Sequence, residues 1–420
     1  MTRQAYGHAM NTCRSILVTA VVLQSWCVIA PVSADELVER VEQPSTEDQR
    51  PPQYEHGDIV VPGAWADEPR RNTLSVAKAI AHLEDGAAAW NGSNNCVACH
   101  TTGVYLCLRP MLSSTVGRPS DDIRRLFVED LEERTKQADK DIESMRTSIA
   151  PAHVANIAWG LAEWDAHITG KLSDETRRAL DLMFRLQSDD GSFSNLDCWP
   201  PFESSNYQAA TVAAMAVATA PGWKDSVSDE TTLAAIDRLK TFLCETPAPH
   251  LYAEVLLLRA ATRWRELMNN SRRRRVYSDM FVRRNADGGW ALRDFATPEQ
   301  WGRGNRSKKL QSELNVKSPN SDAHMTALAM IVYMDAGMAH DDRLIRRGVG
   351  WLKQNQRASG RWWTRSLNTD GRHLITFSGT IYALVALDMS GSLSPNADAE
   401  THGGLSNGIL PATAVSSLDE

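Results

Sequence analysis

Leu186-Gln187-Ser188-Asp189-Asp190-Gly191-Ser192-Phe193 decides the fold, because it returns twice in altered form. It comes back as Arg284-Asn285-Ala286-Asp287-Gly288-Gly289-Trp290, and again as Gln354-Asn355-Gln356-Arg357-Ala358-Ser359-Gly360-Arg361-Trp362. Each copy predicts the same event: a helix ends, a glycine takes a left-handed turn, and an aromatic folds back onto the helix end. Helix starts recur as well. Ser120-Asp121-Asp122, Ser173-Asp174-Glu175-Thr176 and Ser228-Asp229-Glu230-Thr231 are spaced by 53 and 55 residues. A serine caps free backbone N–H groups, and acids in the first turn suit the helix dipole.

Apolar residues at helical spacing follow two of these starts: Ala179, Leu180, Met183 and Phe184, then Leu233, Ile236, Leu239 and Leu243. A second helix fits each unit, over 153–164 and 205–218. One helix hairpin cannot bury its own apolar face, so a period near fifty predicts an all-α array of stacked hairpins. Strand-type alternation is scarce.

The 420 residues are 42% hydrophobic and 23% charged, enough for one large core. The net charge of −7 disfavours a nucleic-acid partner. Residues 1–34 read as a signal peptide: Arg3 and Arg14, an apolar run over 16–30, then Val32-Ser33-Ala34 before Asp35. The apolar run is short for a membrane span, and an uncleaved anchor is the alternative. Cleavage after Ala34 removes two arginines, taking −7 to −9, and leaves Cys96, Cys99, Cys107, Cys198 and Cys244. The expected location is periplasmic or extracellular. Residues 35–72 read as a Pro-rich acidic linker, with Pro44, Pro51, Pro52, Pro62 and Pro69. Residues 73–390 form one domain, and 391–420 a flexible tail.

Cys96-Val97-Ala98-Cys99-His100 is the sharpest chemical signal. In c-type cytochromes this spacing lets two thiols add to the haem vinyl groups while the adjacent histidine ligates the iron. Export agrees with such an attachment. Asn91-Gly92-Ser93-Asn94-Asn95 before the motif reads as a loop, and Tyr105-Leu106-Cys107-Leu108 after it as helix. Three other readings compete. Cys96 and Cys99 form a short disulfide; Cys96, Cys99, His100 and Cys107 bind zinc; or the motif serves packing alone. If haem is attached, Met111 or His153 is the candidate second iron ligand, with His82 a further one. A five-coordinate iron would favour ligand binding over pure electron transfer.

Taken together, the turns resemble the repeats of the terpenoid cyclase and protein prenyltransferase toroids, of squalene–hopene cyclase type, over roughly 74–389. Exported bacterial members of that group share three segments with this chain: Cys96-Val97-Ala98-Cys99-His100-Thr101 with Tyr105 and Arg109-Pro110; Trp199-Pro200 with Glu203; and Gly360-Arg361-Trp362-Trp363-Thr364-Arg365-Ser366. The resemblance implies an α/α toroid of repeated helix hairpins around a cavity. The cyclases of the group protonate a polyene with a D-x-D-D motif. None occurs here, and Asp189-Asp190 sits in a turn. Prenyltransferase members bind zinc through Asp, Cys and His, a set with no match in this chain. The fold therefore carries over and the activity does not.

Trp159, Trp164, Trp199, Trp301, Trp351, Trp362 and Trp363 either line the toroid cavity or pack helix ends and turns. Asp322 with His324 is either an acid/base pair or, as Asn320-Ser321-Asp322, a plain helix cap. Arg272 to Arg275 read as a solvated helix start, with anionic lipid as the rival. Two functions of different class follow. One is a haem-c protein working in redox or ligand binding with a redox partner. The other is an enzyme or binding protein for an apolar, lipid-like ligand in the toroid cavity, without haem. A non-catalytic scaffold is a third.

Overall fold

The computed structural model describes residues 51–94, 97, 99–195, 199–370 and 373–393. The expected signal peptide, residues 1–34, and nearly all of the expected tail lie outside them. Among the described residues the fold is all-α apart from one small hairpin, β1 (Tyr54–His56) paired antiparallel with β2 (Ile59–Val61). The helices follow in order: α1 (Val76–Asn94), α2 (Thr102–Leu108), α3 (Ser113–Val116), α4 (Asp121–Arg146), α5 (Ala150–Trp164), α6 (Asp174–Arg185), α7 (Asn206–Thr219), α8 (Trp223–Ser226), α9 (Glu230–Glu245), α10 (Leu251–Arg263), α11 (Asn270–Val282), α12 (Ser307–Gln311), α13 (Ala323–Asp335), α14 (Arg343–Asn355) and α15 (Ile375–Met389). No described helix is long and apolar enough to cross a membrane.

Composition sorts these helices into two sets. Helices α2, α5, α7, α13 and α15 are apolar around their whole circumference and buried on nearly every face, and α5, α7 and α13 are rich in alanine. A helix with no polar face has to be covered on all sides. α6 and α14 instead bury one stripe and expose the other. With α10, which buries most of its residues, the five all-round apolar helices form an inner set that packs in sequence: α2 on α5, α5 on α7, α7 on α10, α10 on α13, α13 on α15, and α15 back on α2. The others cover it. α4 and α6 lie on α5, α9 on α7, α11 on α10, α14 on α13 and α15, and α1 on α15 and α2.

The recurring turn locks neighbouring units together. Gln187 Nε2 donates to the carbonyls of Gly191 and of Ala235 in α9. Gln356 Nε2 does the same to Gly360 and Ser75, just before α1. Gly191 and Gly360 both hold positive φ, +88° and +95°. A Cβ on Gly191 would run into the Arg238 backbone, and one on Gly360 into the Lys78 backbone. The aromatics fold back as expected: Trp290 Nε1 donates to Met280 O, and Trp362 Nε1 to Leu352 O.

Ser120 and Ser173 cap α4 and α6, and Ser205 caps α7. The third expected start shifts by one residue: Asp229, not Ser228, caps α9. Ser173 Oγ accepts from Thr176 N and donates to the buried Asp165 carboxylate. Ser173→Ala is therefore expected to cost about 1–2 kcal/mol in denaturant unfolding, the upper range for a lost cap.

Two longer segments also differ from the sequence reading. Residues 91–94 continue α1 and are not a loop. The expected linker 35–72 is structured over 51–72. Tyr54 and Val61 are buried against α1, and the buried Arg361 bonds Glu68 Oε2 at 2.9 Å and the carbonyls of Pro62 and Gly63. The prolines there break helix, as read. What local composition does not reveal is that an arginine some 300 residues downstream satisfies the carbonyls of Pro62 and Gly63.

Candidate functional site

Three segments singled out in the sequence converge on one cleft of about 410 Å³. Val97 and His100 come from the turn between α1 and α2. Trp199, Pro200, Pro201, Phe202 and Glu203 come from the loop before α7. Ser366, Asn368 and Thr369 come from the loop after the third glycine turn. Asn368 Nδ2 ties two of these loops by donating to Pro200 O at 2.9 Å. Trp90 of α1, Ile375 of α15 and Leu374 just before it complete the apolar walls. The volume falls in the range of small-molecule sites.

His100 faces this cleft. The Trp90 ring meets it edge-on at 5.1 Å, and Trp199 lies tilted at 6.4 Å. Its Nε2 is buried and has no hydrogen-bond partner among the described residues. Burial lowers the His100 pKa to about 4; Glu203 opposes that shift and His153 adds to it. The ring is therefore neutral at pH 7. Its folded pKa lies below the ordinary 6.5, so its protonation disfavours the fold. Acid is expected to weaken the protein progressively as pH falls from 6.5 towards 4, and imidazole NMR shifts should show His100 titrating near pH 4.

Beside it stand His153 and Glu203. Glu203 holds a positive φ of 45°, unusual for a non-glycine residue and a mark of functional sites. Arg134, itself bonded to Asp130 at 2.9 Å, lies 3.1 Å from His153 Nδ1. A guanidinium can only donate, so His153 Nδ1 accepts and its proton sits on Nε2. Nε2–H then points to Glu203 Oε1, 3.4 Å away. Burial pushes the Glu203 carboxyl up, but His153, a Cys99 hydrogen bond and His100 outweigh it and hold it below its ordinary value.

Of the expected haem residues, Cys96 lies outside the described residues, as does Cys198. Cys99 is buried, with Sγ 3.9 Å from His100 Nδ1. Its side chain lines a separate inner cavity, which Phe202 also walls. Of the candidate second ligands, His153 shares the cleft with His100. Met111, partly buried in the turn after α2, does not line the cleft. His82 is buried on α1 with its pKa lowered to about 3 by burial, and it too lies off the cleft. Among the described residues, no group of three His, Cys, Asp or Glu side chains is gathered to hold a metal ion.

Asp322 caps α13, accepting from Met325 N and Leu292 N, and burial raises its pKa to about 6. His324 turns to other partners: Tyr252 Oη at 2.8 Å and Ser378 Oγ at 3.1 Å. The cap reading of Asp322 fits this geometry. Of the Arg272–Arg275 run, Arg272 and Arg275 bond Glu254, and Arg273 binds the carbonyls of Ala261, Arg265 and Met268. Sequence reasoning missed Trp90 and Arg134, because nothing in a tryptophan near a helix end or an arginine on an exposed helix marks what it will face. Comparison with protein-family models finds no match for the chain, and comparison with curated proteins finds none.

Proposed function

We propose that this chain is an exported α/α toroid that carries haem c, tethered through Cys96 and Cys99 with His100 on the iron, and that it serves redox or ligand-binding chemistry. The observation that carries this reading is the His100 ring: neutral, with a buried and unengaged Nε2, at an apolar cleft of ligand size. Imidazole ligates iron only in its neutral form, which burial supplies. The toroid is supported by the inner helices, whose contacts run from α2 to α15 and return to α2, and by Gly360 seated on α1. Export rests on residues 1–34.

When bound, haem supplies an iron whose potential and open coordination position the surrounding protein tunes. The chain's own residues do the rest. Trp90 steadies the His100 ring, and the tryptophan, proline and aliphatic walls keep water from it. His153 has Nδ1 committed to Arg134 and its Nε2 proton committed to Glu203. With both ring nitrogens engaged, His153 would stand beside the group without ligating the iron.

One observation favours a second reading. Cys99 turns to the inner cavity and hydrogen-bonds Glu203, so a thioether there would require its side chain to reorient. The cleft would then hold an apolar, lipid-like molecule without haem. Expression with signal and cytochrome-maturation machinery decides between them. The haem reading expects a coloured protein whose mass increase is lost in Cys96→Ala/Cys99→Ala, and an altered spectrum in His100→Ala. A colourless wild type of unmodified mass overturns it.

A further inference from the structure

One basic stretch of the sequence has no part in the cleft. Arg272 and Arg275 answer Glu254, and Arg273 binds main-chain carbonyls, but Arg274 is exposed and bonds nothing among the described residues. The exposed stripe of α11 runs through Ser271, Arg274, Arg275, Ser278, Phe281 and Val282. That of α14 runs through Arg343, Arg346, Lys353 and Gln354. Neither stripe holds an acid. As a whole, α11 carries four arginines against one acid, Asp279, and α14 three arginines and a lysine against none. Asp341 and Asp342 stand just before α14, Asp342 as its cap. The two helices adjoin. The turn that ends α11 rests on α14, where Trp351 Nε1 donates to Asp287 Oδ2 at 2.9 Å and the Arg347 guanidinium donates to Ala286 O.

This basic face belongs to a chain of net charge −7. The opposite sign gathers on α4, with nine acids against six bases. α4 lies on α5 and α14 on α13, three steps apart either way in the closed run of inner-helix contacts. Such a separation of charge orients a protein at a charged surface.

Phe281 and Val282 add what charge does not explain. They are 56% and 70% exposed, side by side at the end of the cationic stripe, and the Arg284 guanidinium lies 5.6 Å from the Phe281 ring centroid. A lone exposed apolar residue is ordinary. An aromatic and an aliphatic beside exposed arginines match a membrane interface, where apolar side chains enter the acyl boundary and cations stay with the phosphates. A nucleic acid would engage the arginines and leave the valine in water.

We propose that the outer face of α11 and α14 docks on an anionic phospholipid bilayer, with Phe281 and Val282 entering the headgroup layer and Arg274, Arg275, Arg346 and Lys353 on its phosphates. None of these residues lines the cleft or the inner cavity. The docking therefore stands whether or not haem is attached.

Vesicles of equal parts phosphatidylglycerol and phosphatidylcholine are the probe. Vesicles of phosphatidylcholine alone are the neutral control, and a DNA duplex is the competing polyanion. The sample is exported protein freed of residues 1–34, whose apolar run would bind vesicles by itself, and binding is read by cosedimentation. Binding to the anionic vesicles is expected, at least about tenfold weaker to the neutral ones and falling as salt is raised. Arg274→Glu/Arg346→Glu/Lys353→Glu should weaken it at least about tenfold. Phe281→Ser/Val282→Ser should weaken it about tenfold at fixed salt. All five side chains are exposed, so circular dichroism should find both variants folded. Should one fail to fold, the other decides. No binding to anionic vesicles, equal binding to neutral ones, displacement by DNA at equal phosphate concentration, or unchanged binding in either folded variant overturns the proposal.

Discussion

Gly360→Ala is expected to destabilise the protein by more than about 3 kcal/mol, through two effects that act together. The first is backbone: Gly360 sits at φ +95°, where an L side chain is strained by about 1–2 kcal/mol. The second is contact. A Cβ added at Gly360 would stand 2.7 Å from Ala79 N of α1 and closer still to Lys78, so it has no room unless the turn lifts off that helix. Lifting it also strips the Gln356 side chain from Ser75. Gly337 supplies the control. It too holds positive φ, at +90°, but a Cβ there meets nothing within 4 Å. Gly337→Ala should show the backbone cost alone, about 1–2 kcal/mol. Equilibrium denaturation of both variants separates the two effects. Equal losses would mean that the last unit does not depend on close contact with the first.

Arg263→Met is expected to be the other severe substitution, about 3–5 kcal/mol, because it strands a buried carboxylate. Glu163, on α5, is fully buried. Burial pushes its pKa up, yet Arg263, His167 and the Trp159 indole together bring it down to about 2. Arg263 bonds Glu163 and also Thr219 of α7, so a single network ties the ends of α5, α7 and α10. The pH dependence follows from the sign of the shift. In wild type the folded pKa lies below the ordinary 4.5. Glu163 therefore adds stability above that pH, and loses it as pH falls towards 2. Without Arg263 burial dominates, the folded pKa rises above 4.5, and protonation now relieves the fold. The variant should gain stability relative to wild type as the solution is acidified. Denaturant midpoints measured between pH 7 and pH 4 test this, and parallel curves would show that Arg263 does not set the charge on Glu163.

These two residues mark different limits of what the chain reveals unaided. Gly360 was legible, since the recurrence of a helix, a polar turn, a glycine and an aromatic requires left-handed backbone there wherever the copies lie in space. Arg263 was not. Its neighbour Arg259 interrupts an apolar run and so announces a buried charge, but neither position says which group will face it.

The candidate site divides in the same way. Cys96, Cys99 and His100 stood out because a thiol–thiol–imidazole spacing is rare and chemically specific. The convergence of Trp199–Pro200, Glu203 and Ser366 on the same histidine follows from three loops meeting, which no local pattern contains.

The order of residues alone says where the helices run and that they are paired in units of about fifty residues, because periodicity, caps and turn glycines are local properties set by neighbours within a few positions. It determined the apolar all-round character of the inner helices for the same reason. Distant partners settled the rest: that residues 54–61 form a hairpin packed on α1, that His153 carries its proton on Nε2, that Cys99 and His100 face different spaces, and that no carboxylate bonds Arg259 among the described residues. Each of these depends on a partner contributed by a distant segment, and burial and hydrogen bonding are set by what surrounds a group in space.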